Sequence, residues 1–547
     1  DFITNEPVKA TPIENSIQAV ARSLVDEYGF DHTQLARDIT ARYEIIDDRG
    51  KSRTIRKKIN IAVFPEGVNK ENTDEIIRIC IIQTPNTKAN DRKNGIFLLE
   101  EIMGSLSNCS YGLWSNGTDL VFKEKITGGR RIQPEYVDLY DLPGFEETSK
   151  DLDNPDRQTG RIATGDNLVR TFSRVHDYIY GNQGLKKDAA FFQVLNLIFC
   201  KIHDERTHGN RRFWVKGTER NTPEGQRAIA QRIKSLFEEV KADKNYASVF
   251  SERDSIELND RVLAYVVGEF SRYNLLETDV DVKGAAYEEI TASTLKAQRG
   301  QFFTPTNVIR LMVNMMDPGN DKDLTDPQNW PRILDPACGS GRFLTYALDH
   351  IRKKMAAQLF PTTHTLLQVG ELEKHPDYAS LIRDFASQCL YGFDFDPDLK
   401  RAARMNMILN NDGHGNILSF NSLEYPLMLG RKTIGEIKAE SLGKSSDDIG
   451  DAERARIEAD FGTFDYVFTN PPFGAKIPID DPHILELFDL GHKWKKDEDG
   501  FWMMDYDVQS SVAPEVLFVE RCIQWAKPRT GMIAIVLPDG ILGNPDS

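Results

Sequence analysis

The pattern of apolar and polar positions divides the chain into three predicted domains. Residues 1–150 mix helical apolar spacing with short apolar runs such as 58–64 and 76–82, which predicts an α+β domain. Residues 168–290 keep a helical period almost throughout, which predicts a helical bundle. From 291 to 547, short apolar strands alternate with helical runs. That rhythm predicts a multidomain α/β protein whose last domain is doubly wound around a parallel sheet.

Composition and charge narrow the class of protein. A chain of 547 residues with 40% hydrophobic and 28% charged residues is expected to be soluble, with more than one core. We find no apolar run of bilayer length, no export leader and no C-x-x-C motif, so we expect a cytoplasmic protein with no membrane partner. The net charge of −16 argues against nonspecific coating of nucleic acid, although it leaves room for a local basic groove or a basic partner.

Two strand ends carry acids that suit a small-molecule ligand. The run ILDPACGSGRFL (333–344) predicts a strand, Asp335, a turn with Gly339 and Gly341, and then a helix. The glycine spacing in this run matches neither the Walker phosphate-binding motif nor the dinucleotide-binding motif. A plain tight turn without a ligand is the alternative interpretation. About one βαβ unit later, LYGFDFDP ends in Asp394 and Asp396, where an acid commonly binds a ribose diol. A solvated acidic strand end is the alternative, more so for Asp396.

A pair of phenylalanines precedes the first of these strands. In RGQFFTPTNVIRLMV (299–313), Gly300 and Pro305 flank Phe302 and Phe303, an arrangement suited to stacking on a flat ring. Thr304 is a candidate helix N-cap. A loop that only leads into a helix is the alternative interpretation.

The run FDYVFTNPPFG (464–474) ends a predicted strand on Asn470. Asn470 offers a side-chain carbonyl, and Pro471 and Pro472 stiffen the turn, so that the Pro471 carbonyl is expected to face the same pocket. Two adjacent acceptors suit an exocyclic amino group, and Phe473 adds a face on which an extruded base can stack. A structural Pro-Pro turn is the alternative.

The chemistry expected of this turn needs no metal and no covalent enzyme intermediate. Two fixed acceptors localise the lone pair of an adenine amino nitrogen, which can then attack a sulfonium methyl directly. His203 and His208 lie on different faces of a helix, so we expect a metal site nowhere in the chain.

These motifs, in this order, resemble those of the adenine-N6 DNA methyltransferases. More narrowly, residues 168–547 resemble the modification (M) subunit of type I restriction–modification systems. The resemblance implies a Rossmann-like domain that binds S-adenosylmethionine. It assigns the cofactor to Gln301, Phe302, Phe303, Thr304, Pro305, Thr306, Asp335, Gly339, Ser340, Gly341, Asp394 and Asn421. It assigns the target adenine to Asn470, Pro471, Pro472 and Phe473.

Two positions depart from the family pattern. Arg342 stands where relatives often have glycine, which is expected to narrow the edge of the pocket. Asn421 stands where relatives often have the Asp that contacts the cofactor's adenine amine, and an amide can still accept that bond.

Residues 50–125 resemble the nuclease-like N-terminal domain of type I restriction (R) subunits. Active versions use an Asp and a Glu-x-Lys to hold a divalent metal. Asn60, Ile81 and Gln83 stand at those positions, so we expect a module that no longer cuts and that docks DNA or a partner. A migrated site at Lys88 and Asp91 is the alternative.

The resemblance implies partners. The chain stops just past its last predicted strand, so we expect a truncated C-terminus and DNA recognition by a separate specificity (S) subunit, with an R subunit and a second M subunit as further partners. Double-stranded DNA is the expected substrate, and the basic, aromatic loop 491–507 is a candidate flap beside it. The rivals are a methyltransferase acting on RNA or on a protein glutamine, and a catalytically silent cofactor-binding scaffold.

Overall fold

The computed structural model describes most of the chain and groups it into two compact units. The described residues are 1–46, 52–127, 134–154, 160–207, 211–243, 246, 249–250, 252–278, 280–299, 304–361, 372, 375–410, 416–426, 434, 437, 461–473 and 478–543. The first unit contains Asp1–Val240 and Ser255–Thr278, and the second contains Lys241–Asp254 and Asp279–Ser547. The division of the first 290 residues into a separate N-terminal domain and a bundle stays a prediction.

A six-stranded sheet forms the centre of the first unit. Its strands are, in spatial order, β1 (Leu35–Ile46), β2 (Ser52–Val63), β3 (Arg78–Ile82), β4 (Tyr111–Ser115), β5 (Leu120–Ile126) and β6 (Glu135–Leu139). Neighbours are antiparallel except β3 and β4, which are parallel and joined through helix α2 (Ile96–Ser105). The predicted strands at 58–64 and 76–82 are therefore present as β2 and β3.

Alternating apolar side chains give this sheet two buried faces. Ile79 and Ile81 belong to the core that includes Leu99 of α2, whereas Cys80 belongs to the core that includes Ala21 of helix α1 (Pro12–Asp26). Successive side chains of a strand point to opposite faces of the sheet, so neighbouring residues of β3 belong to different cores.

Two of the positions at which the resemblance would place metal-binding residues carry buried side chains in this sheet. The Asn60 side-chain oxygen accepts a hydrogen bond of 2.8 Å from the backbone of Ile82, and Ile81 is fully buried. The resemblance to an R-subunit domain stays a prediction.

Helices make up the rest of the first unit. They are α3 (Ser149–Leu152), α4 (Asn167–Gln183), α5 (Lys187–Arg206), α6 (Gly217–Arg220), α7 (Pro223–Ala242) and α8 (Asp260–Ser271). Glu269 of α8 lies buried and accepts a 2.8 Å hydrogen bond from Arg174 of α4, which also donates to the carbonyl of Thr118. Burial alone would raise the pKa of Glu269, but Arg174, Arg272 and Arg220 outweigh it and lower the pKa to about 2.

The second unit is built on a parallel five-stranded sheet. Its strands are β7 (Ile333–Asp335), β8 (Leu390–Phe393), β9 (Ile417–Leu418), β10 (Tyr466–Thr469) and β13 (Met532–Ile535), arranged in the order β13-β10-β7-β8-β9. Numbered along the chain within this sheet, the order is 3-2-1-4-5 read from β9, which is that of a Rossmann-like fold. The predicted doubly wound α/β domain is confirmed.

Both faces of this sheet are covered. Ile333 and Phe468 belong to the core that contains helix α11 (Arg342–Leu359), and their neighbours Leu334 and Val467 belong to the core that contains helix α15 (Pro514–Trp525). The remaining helices are α9 (Val280–Arg299), α10 (Thr306–Met316), α12 (Pro376–Cys389), α13 (Pro397–Leu409), α14 (Pro482–Leu485) and α16 (Asp539–Gly543). No helix among the described residues is long and apolar enough to cross a lipid bilayer.

The loop predicted at 491–507 forms a hairpin of β11 (His492–Lys496) and β12 (Trp502–Val508). Lys493 and Lys495 pair across the hairpin with Asp507 and Asp505. The segment contains three lysines and five acidic residues, a net charge of −2, so its predicted basic character is wrong. Trp502 is exposed on this hairpin, and the role of the hairpin as a flap beside DNA stays a prediction.

Candidate active site

A cavity of about 650 Å³ opens at the carboxyl edge of the parallel sheet, beyond the ends of β7, β8 and β10. This edge contains the topological switch point between β7 and β10, where open α/β sheets bind ligands. The cavity has the size of a typical small-molecule site. The predicted site residues that line it are Thr304, Asp335, Gly339, Ser340, Asp394, Asn421, Asn470, Pro471, Pro472 and Phe473.

Other predicted site residues do not line the cavity. Pro305 and Gly341 lie next to lining residues in the chain, and Thr306 lies two residues from Thr304, but none of the three is part of the wall. Gln301, Phe302 and Phe303, like Gly300, lie outside the described residues.

The wall also contains apolar side chains that sequence reasoning did not assign to the site. They include Phe395, Phe420, Leu423, Pro514 and Phe518. Phe395 is 65% exposed, although it lies between two buried acids. An aromatic residue between two strand-end acids in GFDFDP is the signal that could have identified it.

The glycine turn (336–341) connects β7 to α11. Gly339 and Gly341 have φ values of 51° and 77°, in the left-handed region that favours glycine. A Cβ atom at Gly339 would meet no atom within 4 Å, whereas one at Gly341 would lie 3.2 Å from the Cβ of Ala403. The turn is held by a 2.9 Å hydrogen bond from the Asn406 side chain to the Ser340 carbonyl. Gly339 thus leaves space open at the cavity wall, and Gly341 allows close packing of α11 against α13.

Asp335 is the most buried carboxyl group in the cavity wall, with 1% of its surface exposed. Its Oδ1 accepts a 3.1 Å hydrogen bond from the backbone of Ala337. Burial, with a smaller contribution from the nearby Asp394 carboxylate, raises the pKa of Asp335 to about 7, while the Thr469 side chain and the hydrogen bond from Ala337 act to lower it. A cationic group in the cavity would stabilise the ionised form.

Asp394 links two turns at the cavity. Its Oδ2 accepts a 3.0 Å hydrogen bond from the backbone of Gly339, and its Oδ1 accepts one of 2.9 Å from the backbone of Asp396. A carboxylate oxygen has two acceptor lone pairs, so a group of this kind can accept more than one hydrogen bond at each oxygen. Asp396 caps α13 by accepting a 2.9 Å hydrogen bond from the backbone N–H of Asp398. This capping role explains the acid at position 396 without a bound ligand.

Asn421 lines the cavity with its amide orientation fixed. Its Oδ1 accepts a 3.0 Å hydrogen bond from the backbone of Leu423, and its Nδ2 donates one of 2.7 Å to Glu424. The next residue, Ser422, donates a 2.6 Å hydrogen bond to the carbonyl of Pro336. The loop after β9 is therefore tied to the glycine turn.

The proline turn (470–473) follows β10 directly. The parallel register pairs Val467 with Leu334, so the strand brings Asn470 close to the level at which β7 ends in Asp335. Asn470 and Phe473 are half-buried, and Pro471 is buried. The sheet therefore brings the proline turn and the glycine turn to one cavity, as the motifs predict.

The family model described as N-6 DNA Methylase matches residues 278–546. The match covers just under half of the chain, and we call this segment, which is similar to the N-6 DNA methylase family, the methylase domain. The match begins one residue before Asp279, where the longer segment of the second unit starts, and it includes every lining residue of the cavity, so the methylase domain contains the whole candidate site.

Curated relatives of the methylase domain include methylase subunits of type I restriction enzymes. The MjaVII subunit of Methanocaldococcus jannaschii is 29% identical over 104 residues, 19% of this chain and 16% of the relative. The EcoEI subunit of Escherichia coli is 31% identical over 105 residues, 19% of this chain and 20% of the relative. The predicted kinship with M subunits is confirmed, and the chain matches only a small part of each relative's length.

Solved structures include a type I methyltransferase subunit from Streptococcus thermophilus. It shares 15% identity and a TM-score of 0.38, over 69% of this chain and 76% of that one. Because this identity and this TM-score are low, the fold of the methylase domain is assigned from its own strand order and not from this structural similarity.

Proposed function

We propose that the chain is the S-adenosylmethionine-dependent, adenine-N6 methylating subunit of a type I restriction–modification system acting on double-stranded DNA. One observation carries the proposal: the glycine turn, Asp394 and the proline turn line the same cavity. A methyl donor and an acceptor amino group must share a single enclosed space, and this arrangement provides one.

The residues of the cavity fit S-adenosylmethionine. Gly339 leaves the wall open where a side chain would otherwise project, and the buried Asp335 is suited to the cationic part of the ligand. Asp394 can accept hydrogen bonds from ribose hydroxyls, and Asn421 can accept one from the adenine amine. The bound cofactor would supply an electrophilic methyl group carried on sulfur.

The proline turn would hold the target base. The Asn470 side-chain oxygen and the Pro471 carbonyl would each accept a hydrogen bond from the amino group of an extruded adenine. Phe473 would stack on the adenine ring. These acceptors turn the nitrogen lone pair out of conjugation and towards the methyl group. Transfer leaves the bonding electrons on sulfur, and the new amine then loses one proton to water.

DNA recognition in this proposal depends on partner chains. The chain carries a net charge of −16, and its hairpin at 491–507 is acidic, so it supplies little of the basic field that duplex binding needs. An S subunit would read the target sequence, with an R subunit and a second M subunit completing the assembly. The nuclease-like sheet of the first unit would dock DNA or one of these partners.

Transfer of a labelled methyl group from S-adenosylmethionine tests the proposal. The chain, reconstituted with the S subunit of its operon, is offered duplex DNA, RNA or protein. We expect label on adenine N6 of duplex DNA, and Asn470→Ala to lower kcat at least ~100-fold, as loss of a polar transition-state contact does elsewhere. Asn320→Ala, at an exposed asparagine of the same unit, is the control that should keep full activity.

Other outcomes would reject the proposal. Label on RNA or on a glutamine amide would favour a different methyltransferase. Cofactor binding without transfer to any substrate would favour a silent scaffold.

A further inference from the structure

Arg342 makes a set of contacts that the glycine expected at this position could not make. It is the first residue of α11, directly after the glycine turn, and only 5% of its surface is exposed. Its guanidinium forms an ion pair with Glu288 of α9. It also donates a 2.6 Å hydrogen bond to the Thr306 hydroxyl and a 3.4 Å hydrogen bond to the Thr304 carbonyl.

These contacts join three elements of the methylase domain. Glu288 belongs to α9, Thr304 and Thr306 lie at the start of α10, and Arg342 begins α11. A planar guanidinium can serve several acceptors at fixed angles, which the single ammonium group of lysine cannot do. The Tyr346 ring, one turn along α11, lies 5.6 Å from the guanidinium carbon and helps to fix its position.

Arg342 and Thr304 both line the cavity, so the cluster is part of the cavity wall. Thr304 is buried, and its carbonyl is one of the acceptors of Arg342. The backbone of the next turn continues from it, since Val308 and Ile309 donate hydrogen bonds of 3.0 and 3.1 Å to the Pro305 carbonyl. Holding Thr304 and Thr306 therefore fixes both the cavity wall and the first turn of α10.

We propose that Arg342 is a positioning residue that fixes segment 304–306, of which Thr304 lines the cofactor cavity, against the glycine turn. The inference rests on the proposed function only in naming the ligand as S-adenosylmethionine. Glu288 acts together with Arg342, because it neutralises the buried guanidinium and orients it towards Thr304 and Thr306. Arg342 then affects cofactor affinity through the wall rather than by entering the reaction.

Hydrogen exchange without cofactor is the first test. Arg342→Lys keeps the charge but cannot serve Glu288, Thr304 and Thr306 together. We expect the amide protection of Val308 and Ile309 to fall at least tenfold in Arg342→Lys and by a smaller factor in Glu288→Gln. The two substitutions should be non-additive when combined, because they disrupt one cluster.

A matched control separates this role from general stability. Arg352 lies on the same helix, is 2% exposed and donates a 2.7 Å hydrogen bond to the Asn410 carbonyl, but it does not line the cavity. Arg352→Lys should lower global stability and leave the relative protection of Val308 and Ile309 unchanged.

Calorimetry with S-adenosylmethionine and steady-state kinetics complete the test. We expect Arg342→Lys to raise the cofactor Kd and KM at least tenfold while kcat at saturating cofactor stays within about threefold. Arg352→Lys should keep the wild-type Kd. Unchanged Kd and protection in Arg342→Lys, with wild type binding normally, would overturn the inference. Failure of the wild-type protein to bind S-adenosylmethionine would instead reject the proposed function.

Discussion

At the scale of single residues, Asp335 has the most unusual electrostatics in the cavity. Burial raises the pKa of its carboxyl from 3.8 to about 7. Between these values the folded protein holds a proton that the unfolded chain has released, so the contribution of Asp335 to stability falls as the pH rises from about 4 to 7. Below pH 4 both states are protonated and this group has no effect.

Asp335→Asn should therefore change the pH dependence of stability in the protein without cofactor. The amide keeps the shape of the protonated carboxyl and carries no charge. We expect the variant to gain stability relative to wild type as the pH rises from 4 to 7, by on the order of 3 kcal/mol at pH 8. Urea denaturation at several pH values measures this. A constant stability difference between variant and wild type across this range would contradict the raised pKa.

The residues of the cavity show what sequence can predict at this scale. Asp335, Asp394 and Asn470 could be predicted because each is a polar side chain at the end of an apolar strand run, where parallel sheets gather their ligands. The contacts of Arg342 could not, since its acceptors Glu288, Thr304 and Thr306 lie 54, 38 and 36 residues away in the chain. No local pattern indicates such partners.

At the scale of elements, the glycine turn shapes the cavity wall. Gly339 combines a left-handed backbone with open space around a Cβ position. Gly184, at the end of α4, has φ 69° and equally open surroundings, and it lies in the other compact unit. Gly339 lines the cavity and Gly184 does not, but both glycines adopt the left-handed backbone conformation.

Gly339→Ala and Gly184→Ala should cost similar stability, about 1 kcal/mol each, because both force alanine into the left-handed region. Only Gly339→Ala should weaken S-adenosylmethionine binding, since only its methyl group projects at the cavity wall. Chemical denaturation and calorimetry measure the two effects. Equal cofactor affinity in Gly339→Ala and wild type would show that the glycine turn does not contact the ligand.

The charge of the hairpin at 491–507 was not predicted correctly from the sequence. Three lysines and several aromatic residues suggested a basic flap, but Asp505 and Asp507 pair with two of those lysines across the strands. The pairing depends on the register of β11 and β12, with Trp494 opposite Met504. Counting all the charges in the segment already gives a net charge of −2, but only the strand register shows which acids neutralise which lysines.

At the scale of the whole molecule, the alternation of apolar runs predicted the parallel sheet and its doubly wound form. The sequence pattern did not predict the strand order, because right-handed crossovers reduce the number of possible topologies without selecting one. The grouping into units did not follow from the pattern. Residues 241–254 belong with the methylase domain, although 223–240 and 255–278 belong to the first unit.

The acidic balance of the chain leads to a prediction about DNA binding. At about 0.15 M salt, the purified chain should bind a duplex weakly and without sequence preference, and addition of the S subunit should create tight, sequence-specific binding. Fluorescence anisotropy with target and scrambled duplexes measures both. Sequence-specific binding or methylation by the chain alone would contradict the need for a partner.

The central claim is that the proline turn presents a DNA adenine to a methyl donor in the cavity that the glycine turn lines. Mapping N6-methyladenine in DNA from cells carrying the complete operon tests it most directly, with wild type compared with Asn470→Ala. The account predicts a defined target sequence that is methylated with wild type and unmodified with Asn470→Ala at equal protein level. Methylation that persists in Asn470→Ala, or that is missing with wild type, would contradict it.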